Sequence, residues 1–236
     1  MENLHSESIK VNIGNSDATL HLSLPAMMTC FQDIATEHAQ LLGIGFKDMS
    51  DKGLVWVTTK TMVDIEKSPS FLSDCTVSTM ASEIRNGRAY REYTISVRDK
   101  VCVKGKSEWT ALDIKTGRPV SAETVMPELE YVENRVCPSD FRMIDHDFSN
   151  AEVLGVCKVR STDIDFIGHM NNIAYVRSFQ SLFTVEQLKK NPFRHFEISY
   201  VSSCYEGNEI EYRIRGNEVC GTNLKTGKPC VFIYFL

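Results

Sequence analysis

One order of elements occurs twice in this chain, a helix followed by a run of strands, and that repetition constrains the fold more than any other feature. Over residues 24–43, Met27, Phe31, Ile34, His38 and Leu41 recur at spacings of three and four, which sets them along one helical face. Pro25 suits the first turn, and Gly43 suits the position just past the end. Gly45 and Phe46 then lead into a polar loop. Over residues 54–65, Val55, Val57, Thr59, Thr61, Val63 and Ile65 alternate at a period of two, which predicts a strand. Pro69 ends that run. Further strands are predicted over 75–84 and 89–97, on either side of Asn86-Gly87, a pair suited to a tight hairpin. Another covers 101–114 and closes on Lys115-Thr116-Gly117-Arg118-Pro119.

The second pass has the same sense. A strand over 153–160 leads through a turn into a helix beginning near Asn171, with Ile173, Val176, Phe179 and Phe183 on one face. Strands follow over 196–202, 209–215, 219–224 and 230–236. The turn Lys225-Thr226-Gly227-Lys228-Pro229 nearly repeats the earlier one, at what reads as the matching place. Elsewhere the halves share architecture and little residue identity. The expected class is α+β, with one repeat over 1–130, a linker over 131–150 and a second repeat over 151–236. A sheet curled around one helix leaves apolar surface that normally pairs with a second copy, so the two repeats are expected to form an internal pseudo-dimer.

Composition removes several classes of function. A chain of 236 residues accommodates two domains of about 110–120 residues. The first residues lack the basic-then-apolar order of a signal peptide, and no apolar run approaches the ~18–20 residues that span a bilayer. A soluble, cytoplasmic protein with no membrane span is expected. The eight cysteines contain no CxxC pair and read as buried thiols, not as a disulfide frame. No Cys/His set has ligand spacing, so neither a metal nor a cofactor is expected. A net charge of −5 argues against counterion-driven binding to nucleic acid. A homodimer is left open.

The stretch that carries chemistry is Ser161-Thr162-Asp163-Ile164-Asp165-Phe166-Ile167-Gly168-His169-Met170-Asn171-Asn172. Acids, a glycine, a histidine and two amides cluster just before a helix. A helix start offers unpaired N–H groups and the positive end of the dipole, suited to an oxyanion formed when a carbonyl is attacked. Gly168 permits close approach of backbone to a ligand. Asp165 could serve as base or nucleophile, and His169 could orient or polarise. The same residue types also make ordinary helix caps.

DIDFIGHMNNIAYV resembles the signature of the acyl-acyl carrier protein (acyl-ACP) thioesterases, in which Asp-x-Asn-x-His-x-x-Asn opens the helix of a second hotdog repeat. LPAMMTCFQDIATEHAQLLGIGF with GLVWVTTKTMVDIEKSP is similar to the family's first hotdog, and KGKSEWTALDIKTGRPV to its last strand. SYVSSCYEGNEI is similar to the segment carrying a Glu and a Cys. The resemblance implies two tandem hotdogs and hydrolysis of fatty acyl-ACP, with acyl carrier protein as partner. It implies Asp165, His169, Asn172 and Cys204 as catalytic residues, and Gly168, Met170, Asn171 and Ser203 as substrate-binding ones. It also implies that the first repeat supplies the acyl cavity, with Met27, Met28, Phe31 and Trp56 as lining.

Two positions depart from the pattern: Ile167 stands where the motif has Asn, and Ser203 where the Glu precedes the Cys. Asp165 is the replacement base, with Glu197 and Glu206 nearby in sequence. The first half has no Asp-x-x-Gly-His at its helix entrance, which is read as Leu24-Pro25, so one active site is expected. Arg85, Arg88, Arg91, Arg98, Lys100, Lys104 and Lys106 form a candidate dock for the acidic carrier protein. Hydrolysis of acyl-CoA, a non-catalytic acyl-thioester binder and a hydroxyacyl dehydratase are the competing readings.

Overall fold

The computed structural model describes residues 3–129, 136–137 and 139–236, so 131–135 and 138 of the expected linker lie outside the described residues. The chain divides into two compact units, Met1–Asp140 and Phe141–Leu236.

In the first unit, β1 (Leu4–Lys10) precedes α1 (Leu24–Leu41) and α2 (Phe46–Asp51). Then come β2 (Leu54–Ile65), β3 (Asp74–Arg85), β4 (Arg88–Val97), β5 (Lys100–Asp113) and β6 (Pro119–Val120). The antiparallel sheet runs β1-β3-β4-β5-β2, with β6 on β5. α1 starts where Ser23 Oγ accepts the Ala26 N–H and Pro25 fills the first turn. Leu24, Met27, Met28, Phe31, Ile34, Ala35 and His38 are its buried residues, whereas Leu41, placed on the same face by the periodicity, is exposed at the helix's last position. The Phe31 ring lies directly against Gly105 of β5, where even a methyl group would collide with it, and stacks on Tyr93 at 4.5 Å. His38 is buried, its Nδ1 accepting from Arg91 Nη1 at 2.7 Å.

Three local features differ from expectation. A bulge between Thr58 and Lys60 interrupts the alternation of β2. Leu54 and Trp56 therefore pack against the cluster of Leu42, Ile44, Met49 and Ala111, while Thr61, Val63 and Ile65 are the buried odd-numbered residues. The polar loop after Gly45 is α2, with Asp48 accepting the Gly45 N–H at 3.0 Å. The basic dock loses two members: Arg91 points to His38, and Lys106 is fully buried beside Glu83, Asp140 and the Ser139 carbonyl. Arg88 and Arg91 stand three apart on β4 and so point to opposite faces, whereas Lys104 and Lys106 share a face of β5 and differ in what covers them. Arg85 pairs with Asp140 and Arg88 with Glu108, while Arg98, Lys100 and Lys104 are exposed.

The second unit contains β7 (Glu152–Lys158), α3 (Asn172–Gln180), α4 (Val185–Lys190), β8 (His195–Tyr200), β9 (Glu209–Arg215), β10 (Glu218–Asn223) and β11 (Lys228–Phe235). Its sheet runs β7-β9-β10-β11-β8, the first unit's order in the second unit's strands. Phe179 of α3 is fully buried, and its ring meets Phe183, Phe193, Phe196, Phe235 and Tyr212 at 5.2–6.2 Å. α3 stops at Gln180, so Phe183 reaches this cluster from the turn beyond the helix. Each unit is a helix on an antiparallel sheet, and together they make an α+β fold of two tandem hotdogs.

The Lys-Thr-Gly turns do not mark equivalent places. The first joins β5 to β6 and the second joins β10 to β11, whereas sheet order equates β5 with β11. All eight cysteines are free thiols. Among the described residues no helix is long and apolar enough to cross a membrane.

Candidate active site

After β7 the chain makes a short 3-10 turn at Ser161–Asp163 and a tight loop closed by bridging of Ile164 to Met170. Asp165 N–H donates to the His169 carbonyl at 2.8 Å, and Gly168 N–H returns to the Asp165 carbonyl at 3.0 Å. Gly168 sits at φ 89, a left-handed conformation that costs a side-chain-bearing residue about 1–2 kcal/mol. Asp165 Oδ1 accepts the N–H groups of Ile167 (2.9 Å) and His169 (3.3 Å), so the loop's own backbone fixes that carboxylate. Asn171 N–H donates to the Asp163 carbonyl, and Asn171 Oδ1 caps α3 by accepting the Ile173 N–H, each at 2.8 Å. Asn172 is the first residue of α3, and its carbonyl accepts from the Tyr200 hydroxyl at 3.3 Å.

The segment after β8 lies against this loop. His169 Nδ1 is 3.4 Å from Ser203 Oγ, and its ring meets Tyr205 edge-on at 5.1 Å. Met170, itself buried, donates its N–H to the Cys204 carbonyl at 2.8 Å. Cys204 N–H donates to the Tyr175 hydroxyl at 3.0 Å, which donates in turn to the Ser202 carbonyl at 3.4 Å. The Cys204 side chain is 0% exposed, with Asn223 Nδ2 3.6 Å from its sulfur. A hydrogen bond with Cys230 pulls the Cys204 thiol down to about 7; burial opposes this, and Tyr175 and Asn223 assist it. Cys230 moves up in response, through the same bond and its own burial.

Asp165, Gly168, His169, Met170, Asn171, Asn172, Ser203 and Cys204 therefore converge in the second unit. Met27, Phe31 and Trp56 belong to the first, and there they do not form one group. Met27 and Phe31 lie one helical turn apart on α1, whereas Trp56 packs with Leu42 and Met49 beyond that helix's end. Glu197 accepts from Arg142 N–H and pairs with His195, each at 2.8 Å. Sequence reasoning missed Tyr175, Tyr205 and Asn223. Tyr175 lies three residues after Asn172, so helical spacing could have flagged it; a buried Asn in β10 leaves no such signal.

The first unit repeats this loop. Its entrance to α1 is built from residues 17–23. Asp17 N–H donates to the His21 carbonyl at 2.8 Å, and Leu20 N–H donates to the Asp17 carbonyl at 3.1 Å. Asp17 Oδ1 accepts the N–H groups of Thr19 (2.7 Å) and His21 (3.2 Å). Ser16 bridges Leu22 as Ile164 bridges Met170. Asp17 and His21 thus occupy the places of Asp165 and His169, and Leu20, at φ 59, replaces Gly168. The helix entrance of the first half is therefore Asp-x-x-Leu-His, upstream of Leu24-Pro25.

Residues 2–129 match the acyl-ACP thioesterase N-terminal domain, and residues 149–227 match the C-terminal domain of the same family. An acyl-[acyl-carrier-protein] hydrolase FATB3, chloroplastic, of Cuphea viscosissima is 22% identical over 202 residues, covering 80% of this chain and 49% of that protein. A chloroplastic palmitoyl-acyl carrier protein thioesterase of Gossypium hirsutum is 27% identical over 170 residues, covering 65% and 41%. The chain spans about half the length of the curated relatives it matches. The crystal structure of an acyl-ACP thioesterase from Bacteroides thetaiotaomicron superposes with a TM-score of 0.81 at 19% identity, covering 99% of this chain and 97% of that one. The 12:0-ACP thioesterase of Umbellularia californica superposes at 0.79 with 15% identity, covering 100% and 97%. These superpositions establish the fold.

Proposed function

The chain belongs to the acyl-ACP thioesterase family, and we propose that it hydrolyses fatty acyl-ACP to a free fatty acid and the carrier's phosphopantetheine thiol, at one site in its second unit. The observation that carries this reading is His169 beside the loop-held Asp165 carboxylate at the start of α3, turned to Ser203 of another segment, where His21 of the first unit's copy turns back to its own loop.

With Oδ1 committed to the loop, Oδ2 takes the proton of an attacking water. The water oxygen bonds to the thioester carbon, and the displaced electron pair collects on the carbonyl oxygen. The backbone and side-chain amide groups of Asn172, at the start of α3, stabilise that oxyanion. The C–S bond then breaks, and the proton held by Asp165 passes to the leaving thiolate. Ser203 and Tyr205 hold His169 toward the reacting carbonyl. Cys204 acts as a positioning residue, because its sulfur is buried while its backbone ties the loop to Tyr175. Gly168, Met170 and Asn171 shape the approach of the thioester, and Met27, Phe31 and Trp56 serve the acyl chain. The free thiols support a reducing compartment, the cytoplasm, as the proposed location.

Thiol release from medium- and long-chain acyl-ACPs, with acyl-CoAs alongside, tests the reading in the native chain and in Asp165→Asn. Turnover of acyl-ACP that collapses in the variant is the expected result. Faster turnover of acyl-CoA would move the substrate to the coenzyme, and tight acyl-ACP binding without hydrolysis would make the protein a binder.

A further inference from the structure

We propose that His5, Glu7 and Glu37 form a zinc site that clips β1 to α1, outside the thioester chemistry and independent of it. His5 and Glu7 stand two apart on β1, and so share one face of the strand. Glu37 comes from α1.

His5 Nε2 lies 3.5 Å from Glu7 Oε1 and 3.5 Å from Glu37 Oε2, and the three ligand atoms all lie within 4.8 Å of one another. That separation exceeds the 2.7–3.2 Å of an N–H···O hydrogen bond. It matches shared coordination: zinc ~2.0–2.1 Å from tetrahedral ligands sets them about 3.3–3.4 Å apart. The Nε2 atom is buried and makes no hydrogen bond. The His5 ring is backed by His38 at 5.8 Å with planes 23° apart, and Arg91 holds His38 from behind.

The charge balance points the same way. Glu7 and Glu37 face one imidazole, and Asp33 lies one turn before Glu37 on α1. A dication would relieve this crowding. Imidazole with two carboxylates and a fourth position for water is a donor set suited to zinc. Ligand spacing in the sequence gives no hint of it, since two elements contribute the ligands. In the first unit's sheet β1 has β3 as its strand partner, so the ion would give this strand a second attachment.

The test is calorimetric titration of Zn²⁺ into the metal-free chain, with melting temperature and Co²⁺ absorption as parallel readouts. One ion per chain is expected, with a rise in melting temperature. The cobalt form should show tetrahedral visible bands without the ultraviolet sulfur-to-cobalt charge-transfer band. Loss of an outer-shell partner typically weakens a metal site about 10–100-fold, so His5→Ala should weaken binding at least about 100-fold. Glu37→Gln, which keeps size and helix propensity, should act in the same direction. Equal zinc uptake by the native chain and both variants, or a strong thiolate band, would assign the zinc to cysteine and overturn the site. Absence of any uptake would overturn it as well.

Discussion

The two helix-entrance loops share a backbone frame and differ in what surrounds it. Asp17 and Asp165 each accept two loop N–H groups through Oδ1, and each loop presents a histidine at the same step. In the first loop His21 Nδ1 turns back to Thr19, meeting its hydroxyl at 3.0 Å and its carbonyl at 2.9 Å. In the second, His169 Nδ1 meets Ser203 on another segment. The helix starts differ too: Pro25 brings no N–H to α1, whereas the corresponding Ile173 N–H of α3 donates to the Asn171 cap. The Asp–His frame thus belongs to the fold, and the two copies differ in the direction of the histidine.

The strongest way to break this comparison is to neutralise each aspartate. General-base catalysis contributes about 10²–10⁴-fold, so Asp165→Asn should lower kcat for acyl-ACP by at least about 100-fold, and Asp17→Asn by less than about twofold. Comparable losses in both variants would mean that the loops are not functionally distinct. His169→Ala should cost on the order of tenfold or more in kcat/KM, while His21→Ala leaves kinetics within about twofold, as positioning and polarisation require.

Backbone strain offers a smaller contrast. Gly168→Ala should lower the unfolding free energy by about 1 kcal/mol in a urea titration, because φ 89 disfavours a Cβ. Leu20→Gly should change it by less than about 0.5 kcal/mol, since relief of strain at φ 59 is offset by greater freedom of the unfolded chain.

The smallest expected effect contrasts the units through pH. Burial pushes the Glu108 carboxyl up, but hydrogen bonds from Thr59 and Tyr90, with Lys60 and Arg88, outweigh it and hold the group below its usual range. A carboxyl depressed in the folded state stabilises the fold above its unfolded-chain pKa of about 4.3. That contribution is lost as pH falls through the lower folded value. Glu108→Gln should therefore reduce stability near neutrality and flatten its decline below about pH 4.5, as read from melting temperature against pH.

Periodic segments were legible from the sequence because burial on one face leaves a pattern: α1, the β3–β4 hairpin at Asn86-Gly87, whose φ values are 53 and 75, and the later strands. β1 escaped because Leu-His-Ser-Glu-Ser-Ile-Lys carries little apolar alternation, and pairing with β3 is what makes it a strand. The shared Lys-Thr-Gly turn misled because its sequence reflects local chemistry: Gly117 and Gly227 each donate to a carbonyl four residues back, at 2.8 Å, whatever strands they join. The repeated loop was hidden for the opposite reason. Only Asp and His recur between the two copies, with unlike residues between them, since backbone groups make most of the frame. At the candidate site, the signature residues were readable, while Tyr175 and Asn223 depended on neighbours distant in sequence.

Strand order also has a consequence in time. β1 pairs with residues that emerge much later, from Lys10 with Asp74 to Leu4 with Met80. At ~5–20 residues per second of synthesis, this strand waits several seconds without its partner on a growing chain. Its sequence suits that interval: Ser, Glu, His and Lys dominate, so the waiting segment stays hydrated and resists premature pairing with other nascent chains.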